Sequence, residues 1–131
     1  MQDTDRVALI EAFTLAWTAK DLEAVMELMA DDCTFRSSVG PEPGASFVGR
    51  DEVRRGFQLY LGGGTDLPPP ETKTEPVLAS ADFAVTRWTT YLPQPDGPTV
   101  EVRACDIFEF AGDRIAVKDT YRKVVGQLPP A

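Results

Sequence analysis

Apolar positions in the first half of the chain recur with the spacing of helices. Leu9, Phe13 and Trp17 lie four residues apart, which places them in one stripe along a helix predicted from Thr4 to about Thr18. Asp21 follows soon after, and its side chain is of a type that caps the N-terminus of a helix. A second helix is therefore predicted after Asp21, folded back on the first as a hairpin.

Polar and glycine-rich positions mark where the helices end. The second helix is predicted to end near Asp31-Asp32, before a short alternating strand over residues 33–37. Helical spacing of apolar residues returns between Asp51 and about Leu61, and Gly62-Gly63-Gly64 ends this third helix.

The second half of the chain has the pattern of a sheet. Four segments rich in Val, Thr, Phe, Tyr and Ile are separated by short turns, and they cover residues 72–78, 83–92, 99–110 and 114–125. Short turns join antiparallel neighbours. The predicted fold class is therefore α+β, with one curved, mostly antiparallel sheet wrapped over three helices, in a single domain spanning residues 1–131.

Charge and composition narrow the range of functions. The 131 residues carry a formal net charge of −8, which disfavours binding to nucleic acid backbones and to anionic membranes. The chain contains no histidine, so catalysis by histidine and metal sites built from histidine are excluded. Its acidic residues are not spaced as metal ligands, and we expect neither a metal nor another cofactor.

The location and the cysteines can be predicted in the same way. The N-terminus is polar and acidic, and no apolar run approaches the ~20 residues of a membrane span. A cytoplasmic protein is expected. Cys33 and Cys105 lie far apart in predicted strands, and we expect both to be buried free thiols.

Four segments, in the same order along the chain, resemble one protein superfamily. They are Ala16–Val25 (AWTAKDLEAV), Met29–Phe35 (MADDCTF), Phe47–Val53 (FVGRDEV) and Asp106–Ile115 (DIFEFAGDRI). The chain is similar to the SnoaL-like polyketide cyclases, ketosteroid isomerases, limonene epoxide hydrolases and nuclear transport factor 2. The resemblance implies a cone-shaped α+β barrel with a pocket between the helices and the concave face of the sheet, in a fold that hosts enzymes, binding proteins and assembly modules.

The resemblance to ketosteroid isomerases carries over one functional group. Those enzymes hold an enolate oxygen with a helix tyrosine and a protonated strand aspartate, and they move the proton with a second aspartate. The strand aspartate matches Asp106, whereas the tyrosine matches Phe13 and the second aspartate matches Ser37. The isomerase set is therefore incomplete.

The other relatives suggest further positions. The arginine of limonene epoxide hydrolases falls on Arg87, and their two aspartates fall on Thr89 and Thr120, so this set is incomplete too. SnoaL-like cyclases use an acid–base aspartate and no metal, and Asp106 is its possible counterpart.

Strand alternation extends these positions to whole faces. If Asp106 faces the pocket, its strand also points Val102, Ala104, Phe108 and Phe110 inward. The family register points Val85, Arg87, Thr89 and Tyr91 inward from the preceding strand, and Ala116, Lys118, Thr120 and Arg122 from the last one. On that last strand the local pattern favours Ile115, Val117 and Tyr121 instead, and a slip of one residue would exchange the faces.

Asp106 is the main candidate for catalysis, assisted by Arg87. Among apolar neighbours its carboxyl is expected to stay protonated and to donate a hydrogen bond; the alternative is a structural ion pair with Arg87 or Lys118. The residues expected to line the ligand pocket are Phe13, Trp17, Phe35, Ser37, Thr89, Tyr91, Phe108, Lys118 and Thr120.

Two functions remain open. The first is a cofactor-independent acid–base enzyme of the isomerase, cyclase or hydratase type, acting on a small, apolar, carbonyl-bearing compound. The second is a ligand-binding or dimerisation module with a vestigial pocket. In either case a homodimer is expected through the outer face of the sheet, which would carry Thr86, Trp88, Arg103, Cys105, Ile107 and Tyr121.

Overall fold

The computed structural model describes residues 3–40, 44–61 and 67–125. Its helices are α1 (Asp3–Thr18), α2 (Leu22–Glu27) and α3 (Arg50–Leu61). Its strands are β1 (Met29–Arg36), β2 (Ser46–Val48), β3 (Glu71–Thr74), β4 (Leu78–Ala79), β5 (Phe83–Gln94), β6 (Gly97–Ala111) and β7 (Arg114–Val124). None of the described helices is long and apolar enough to cross a bilayer.

All the strands belong to one sheet, in the order β2-β1-β7-β6-β5-β3, with the short β4 also paired to β5. Every pairing is antiparallel except the one between β1 and β7. The predicted α+β class with a mostly antiparallel sheet is confirmed. Over the described residues the strands do not close into a barrel, since the sheet runs between two edges.

Two predicted boundaries were wrong, for different physical reasons. Helix α2 ends at Glu27, not near residue 31, because Met29 already pairs with Ile115 as the first residue of β1. The strand predicted over residues 72–78 is divided into β3 and β4. Pro76 lies between the two pieces, and proline has no N–H to donate to a neighbouring strand.

Aromatic side chains fill the space between the helices and the sheet. Phe13 of α1 is buried, with its ring centroid 5.3 Å from that of Phe108 on β6 and 6.1 Å from that of Phe57 on α3. Phe57 in turn lies 4.9 Å from Phe35 on β1. The stripe predicted for α1 therefore faces the concave side of the sheet, and the functional residues of that side lie against this aromatic layer.

Helix α3 approaches the sheet closely at a glycine. A Cβ atom on Gly56 would lie 2.8 Å from the ring of Phe47 and 3.1 Å from that of Phe35. Those two rings are stacked, with centroids 5.7 Å apart. Gly56 thus allows the helix to rest directly on the aromatic pair.

Both cysteines are free thiols. Cys33 is buried, as predicted, and Cys105 is half-buried on the outer side of the sheet. Burial raises the pKa of both thiols.

Candidate functional site

A polar cluster lies on the concave face of the sheet, centred on Asp106. The cross-strand partners of Asp106 are Thr86 on β5 and Thr120 on β7, and partners across a sheet share a face. Carboxylate oxygen Oδ2 accepts hydrogen bonds from Thr86 Oγ1 at 3.2 Å and Trp88 Nε1 at 3.0 Å. Oxygen Oδ1 accepts from Lys118 Nζ at 3.0 Å and Thr120 Oγ1 at 2.5 Å. We call these five residues the Asp106 cluster.

The ammonium group of Lys118 is enclosed by this cluster and by two aromatic rings. It also donates to Thr120 Oγ1 at 2.8 Å. Its nitrogen lies 4.8 Å from the ring centroid of Trp17 and 5.0 Å from that of Phe35, within the range of cation–π attraction. The side chains of Lys118 and Asp106 are only 6% and 9% exposed. The two charges therefore face each other largely out of water.

The environment of Asp106 determines its protonation. Burial by itself raises the pKa of this carboxyl, but the charge of Lys118 and hydrogen bonds from Thr120, Lys118 and Trp88 lower it by more, and the net pKa lies below the ordinary value. The expectation that Asp106 stays protonated was wrong. The carboxyl is an ionised partner of Lys118, which was the alternative left open by the sequence.

The predicted register of β5 was also wrong. Because Thr86 pairs with Asp106, the set expected to face inward points to the outer side: Val85, Arg87, Thr89 and Tyr91. The Arg87 side chain is 62% exposed, and its Nη2 lies 2.9 Å from Glu75 Oε1. Arg87, Thr89 and Tyr91 therefore do not join Asp106. Hydrophobicity is the one sequence feature that indicates the observed register of β5, because it favours an inward Trp88 beside an outward Arg87.

On β7 the family register holds after a bulge, whereas the local pattern holds only for Ile115 before it. Lys118 and Thr120 face inward, as the family register implies, while Tyr121 is 55% exposed. Ile115 is nevertheless fully buried. The pairing passes from Glu109–Val117 to Phe110–Ile115 and leaves Ala116 without a cross-strand partner, which shifts the faces by one residue.

The remaining predicted pocket residues lie around the cluster. Phe13, Trp17, Phe35 and Phe108 belong to the aromatic layer, and the rings of Phe13 and Trp17 stack 5.7 Å apart. Ser37 is buried after the end of β1, where its hydroxyl forms a short hydrogen bond with that of Tyr60. Tyr60 was missed from the sequence, because its position at the end of α3 suggested only helix packing.

Burial along the concave face changes from one cross-strand row to the next. Phe108 is 1% exposed and Asp106 6%. The next cross-strand row consists of Trp88, Ala104 and Arg122; the first two are half-buried and the third is exposed. The row after it is buried again, since Thr90 is 7% and Val102 2% exposed. Over the ranges that the structure describes, no group of three or more cysteine or carboxylate side chains is placed to hold a metal ion.

Comparisons with known proteins identify the family and the fold. The family model described as the SnoaL-like domain matches residues 10–118. No curated protein matches the chain significantly.

Solved structures share the fold at low sequence identity. An NTF2-like protein of unknown function from Mesorhizobium loti is 21% identical, with a TM-score of 0.74 over 92% of this chain and 93% of its own. A "putative ketosteroid isomerase" from Kribbella flavida is 15% identical, with a TM-score of 0.71 over 98% and 85%. Bal32a, from a soil-derived mobile gene cassette, is 18% identical, with a TM-score of 0.75 over 93% and 92%. By the family match and the shared architecture, the chain belongs to the SnoaL-like domain family and has the nuclear transport factor 2-like fold.

Proposed function

We propose that the chain binds a small, largely apolar molecule on the concave face of its sheet, and that the ammonium group of Lys118 meets an oxygen atom of that molecule. The observation that carries this proposal is the position of Lys118 on the concave face, buried between Asp106 and two aromatic rings. A ligand site of this kind combines apolar walls with a few placed polar groups.

The donors of Lys118 support the proposal. An ammonium group has three N–H donors, and within the described part of the chain Asp106 and Thr120 accept two of them. The third remains for a carbonyl or hydroxyl oxygen. In a site with little water, a hydrogen bond from a cation is stronger than one from a neutral donor.

Acid–base catalysis by Asp106 forms no part of the proposal. A carboxylate that accepts four hydrogen bonds and has a lowered pKa carries no proton to donate near neutral pH. For the same reason it is a weak base. Asp106 is better understood as the group that positions Lys118, and this favours a binding protein over an isomerase or cyclase.

The two tryptophans provide a direct test, because they are the only ones in the sequence and both contact the Asp106 cluster. Their indole N–H signals can be followed by NMR during titration with 1-indanone and with indane, which has the same rings without the oxygen. We expect 1-indanone to shift both signals at a lower concentration than indane does.

The control variants separate the role of Lys118 from that of the apolar walls. In the double variant Asp106→Asn/Lys118→Met, which removes both buried charges together, the advantage of 1-indanone should disappear. In Arg87→Gln, on the outer face, it should remain. Equal shifts by the two compounds, or none by either, would overturn the proposal.

We also propose that two copies pair through the outer face of the sheet. Thr86 and Trp88 do not contribute to this face, because both donate to Asp106 on the other side. Ile107 and Cys105 are half-buried there, and Tyr121 is exposed. Light scattering at micromolar concentration should give the mass of two chains, and Ile107→Glu should give that of one. A monomeric parent chain would contradict the proposal.

A further inference from the structure

A second recognition site lies where β1 ends beside β7. The two strands pair in parallel as far as Arg36 and Asp119, and β7 then continues to Val124 while the chain after β1 turns away. The gap is a cleft of about 270 Å³. It is lined by Arg36, Ser37, Ser38, Gly44, Ser46, Asp119, Thr120, Tyr121 and Arg122.

The charges of this cleft are opposite in sign to those of the chain as a whole. Two arginines, Arg36 and Arg122, line it with one aspartate, Asp119, in a chain whose net charge is −8. Arg36 Nη1 lies 3.6 Å from Asp119 Oδ2. None of the described carboxylates pairs with Arg122. The cleft therefore carries an excess of one positive charge.

Hydroxyl groups complete the lining. Ser37, Ser38, Ser46 and Thr120 line the cleft, and the hydroxyl of Ser37 is already bonded to that of Tyr60. An arginine fork beside neutral hydroxyl donors matches the geometry of a carboxylate, which accepts several hydrogen bonds in one plane. The hydroxyl of Thr120 is already bonded to Lys118 and Asp106, so this residue forms the inner wall between the cleft and the Asp106 cluster.

We propose that this cleft binds the carboxylate group of a small monoanionic organic acid, through Arg122 and Arg36. The volume is slightly below the ~300 Å³ of the smallest usual ligand pockets, which suits a compound about the size of one aromatic ring. One excess positive charge balances a monoanion. A dianion such as a phosphate monoester would keep a second charge against Asp119 and against the overall negative charge of the chain.

The proposal goes beyond binding at Lys118 and does not depend on it, because the two sites share only Thr120 and are tested by different variants. The first test is an NMR titration with sodium benzoate, compared with benzamide, which has the same shape and no charge. Benzoate should shift the backbone amide signals of Ser38, Ser46 and Arg122. Benzamide should not shift them at the same concentration, and the benzoate effect should weaken as salt is added.

Variants of the cleft residues test both the direction and the size of the expected change in benzoate affinity. Arg122→Gln should weaken benzoate binding by about tenfold or more, which corresponds to ~1.4 kcal/mol. Asp119→Asn removes the competing carboxylate, so it should strengthen binding severalfold. Arg103→Gln is the matched control, because Arg103 is an exposed arginine paired with Glu101 elsewhere on the sheet, and it should leave binding unchanged.

The same titrations contain the results that would overturn the proposal. They are equal shifts by benzoate and benzamide, tighter binding of phenyl phosphate than of benzoate, or weaker binding by Asp119→Asn than by the parent chain. If 1-indanone does not bind but benzoate does, the result counts only against the role proposed for Lys118. The proposal for the cleft then stands.

Discussion

Two buried cations lie on the concave side of the sheet, and they are held in different ways. Arg6 is 8% exposed, and its guanidinium lies 4.1 Å from the ring centroid of Phe110 and donates to the carbonyl oxygens of Gly112 at 2.7 Å and Ala81 at 3.2 Å. Lys118 is 5% exposed and also faces aromatic rings, but its main partner is the carboxylate of Asp106.

The difference lies in what each cation leaves behind if it is removed. The partners of Arg6 are neutral carbonyls in the turns before β5 and before β7, so Arg6 works as a clamp between helix α1 and two turns. The partner of Lys118 is a charge, and a buried charge that loses its partner is far more costly than an unpaired carbonyl. We infer that the contacts of Arg6 stabilise the fold through hydrogen bonds to neutral groups, and those of the Asp106 cluster through paired charges.

The largest effect is expected where one charge of the pair is removed. Asp106→Asn keeps the shape of the side chain and leaves the Lys118 cation buried without its counterion. The free energy of unfolding should fall by about 3–5 kcal/mol, as measured by urea denaturation.

Two controls show whether the effect comes from the unpaired charge. Glu75→Gln breaks the exposed pair with Arg87 and should cost no more than ~1 kcal/mol. Asp106→Asn/Lys118→Met should be more stable than Asp106→Asn alone, because neither charge is then left unpaired. If Asp106→Asn lowers the free energy of unfolding by less than ~1 kcal/mol, the ion pair does not stabilise the fold.

The pH dependence of stability should distinguish the Asp106–Lys118 pair from Arg6. The pKa of Asp106 is lower in the folded chain than the ordinary aspartate value of 3.8, so the contribution of Asp106 to stability is complete above that value. The contribution is lost as the pH falls towards the folded pKa. The stability difference between the parent chain and Asp106→Asn should therefore shrink below about pH 4.

The corresponding difference for an Arg6 variant should not change in the same window, because its partners do not titrate. Chemical denaturation at intervals between pH 3 and pH 7 measures both differences. A difference for Asp106→Asn that grows on acidification would contradict the assigned sign.

An intermediate effect is expected at Arg6. Arg6→Leu leaves the carbonyls of Ala81 and Gly112 without this donor, and it should lower the free energy of unfolding by about 2–3 kcal/mol. Hydrogen exchange should accelerate first in the two turns that Arg6 joins. Uniform acceleration over the whole sheet would show that Arg6 is not a local clamp.

The smallest effect is expected at Gly56. Alanine favours a helix over glycine by ~1 kcal/mol, but its Cβ would press on Phe47 and Phe35, and overpacking costs about 1–3 kcal/mol. The net result of Gly56→Ala should be a loss of about 1 kcal/mol. A gain in the melting temperature would show that the Phe47 ring moves aside freely.

The sequence predicted the helices and long strands because their apolar periods are clear, as in the Phe13 stripe of α1. It predicted the end of α2 less well, since the parallel pairing of Met29 with Ile115 is a long-range contact that no local pattern records. The division between β3 and β4 was also not predicted, although Pro76 marks it in the sequence.

The site was predicted in part. Asp106, Lys118 and Thr120 were placed on one face, but a slip of one residue in β5 exchanged Thr86 and Trp88 for Arg87. Both faces of that strand mix polar and apolar side chains, so alternation alone allowed either register, and only the contrast between Trp88 and Arg87 favoured the observed one. The protonation of Asp106 was wrong because it depends on a cross-strand lysine, whose reach towards Asp106 or towards solvent is not written in the sequence.

The most direct test of the buried ion pair is a titration of the Asp106 carboxyl carbon by NMR, assigned by comparison with Asp106→Asn. An ionised partner of Lys118 predicts a midpoint below 3.8, the ordinary value for an aspartate, and a higher midpoint in Lys118→Met if that variant folds. A midpoint near or above neutral pH in the parent chain would mean that Asp106 keeps its proton. That result would contradict the ion pair on which the proposed ligand site at Lys118 depends.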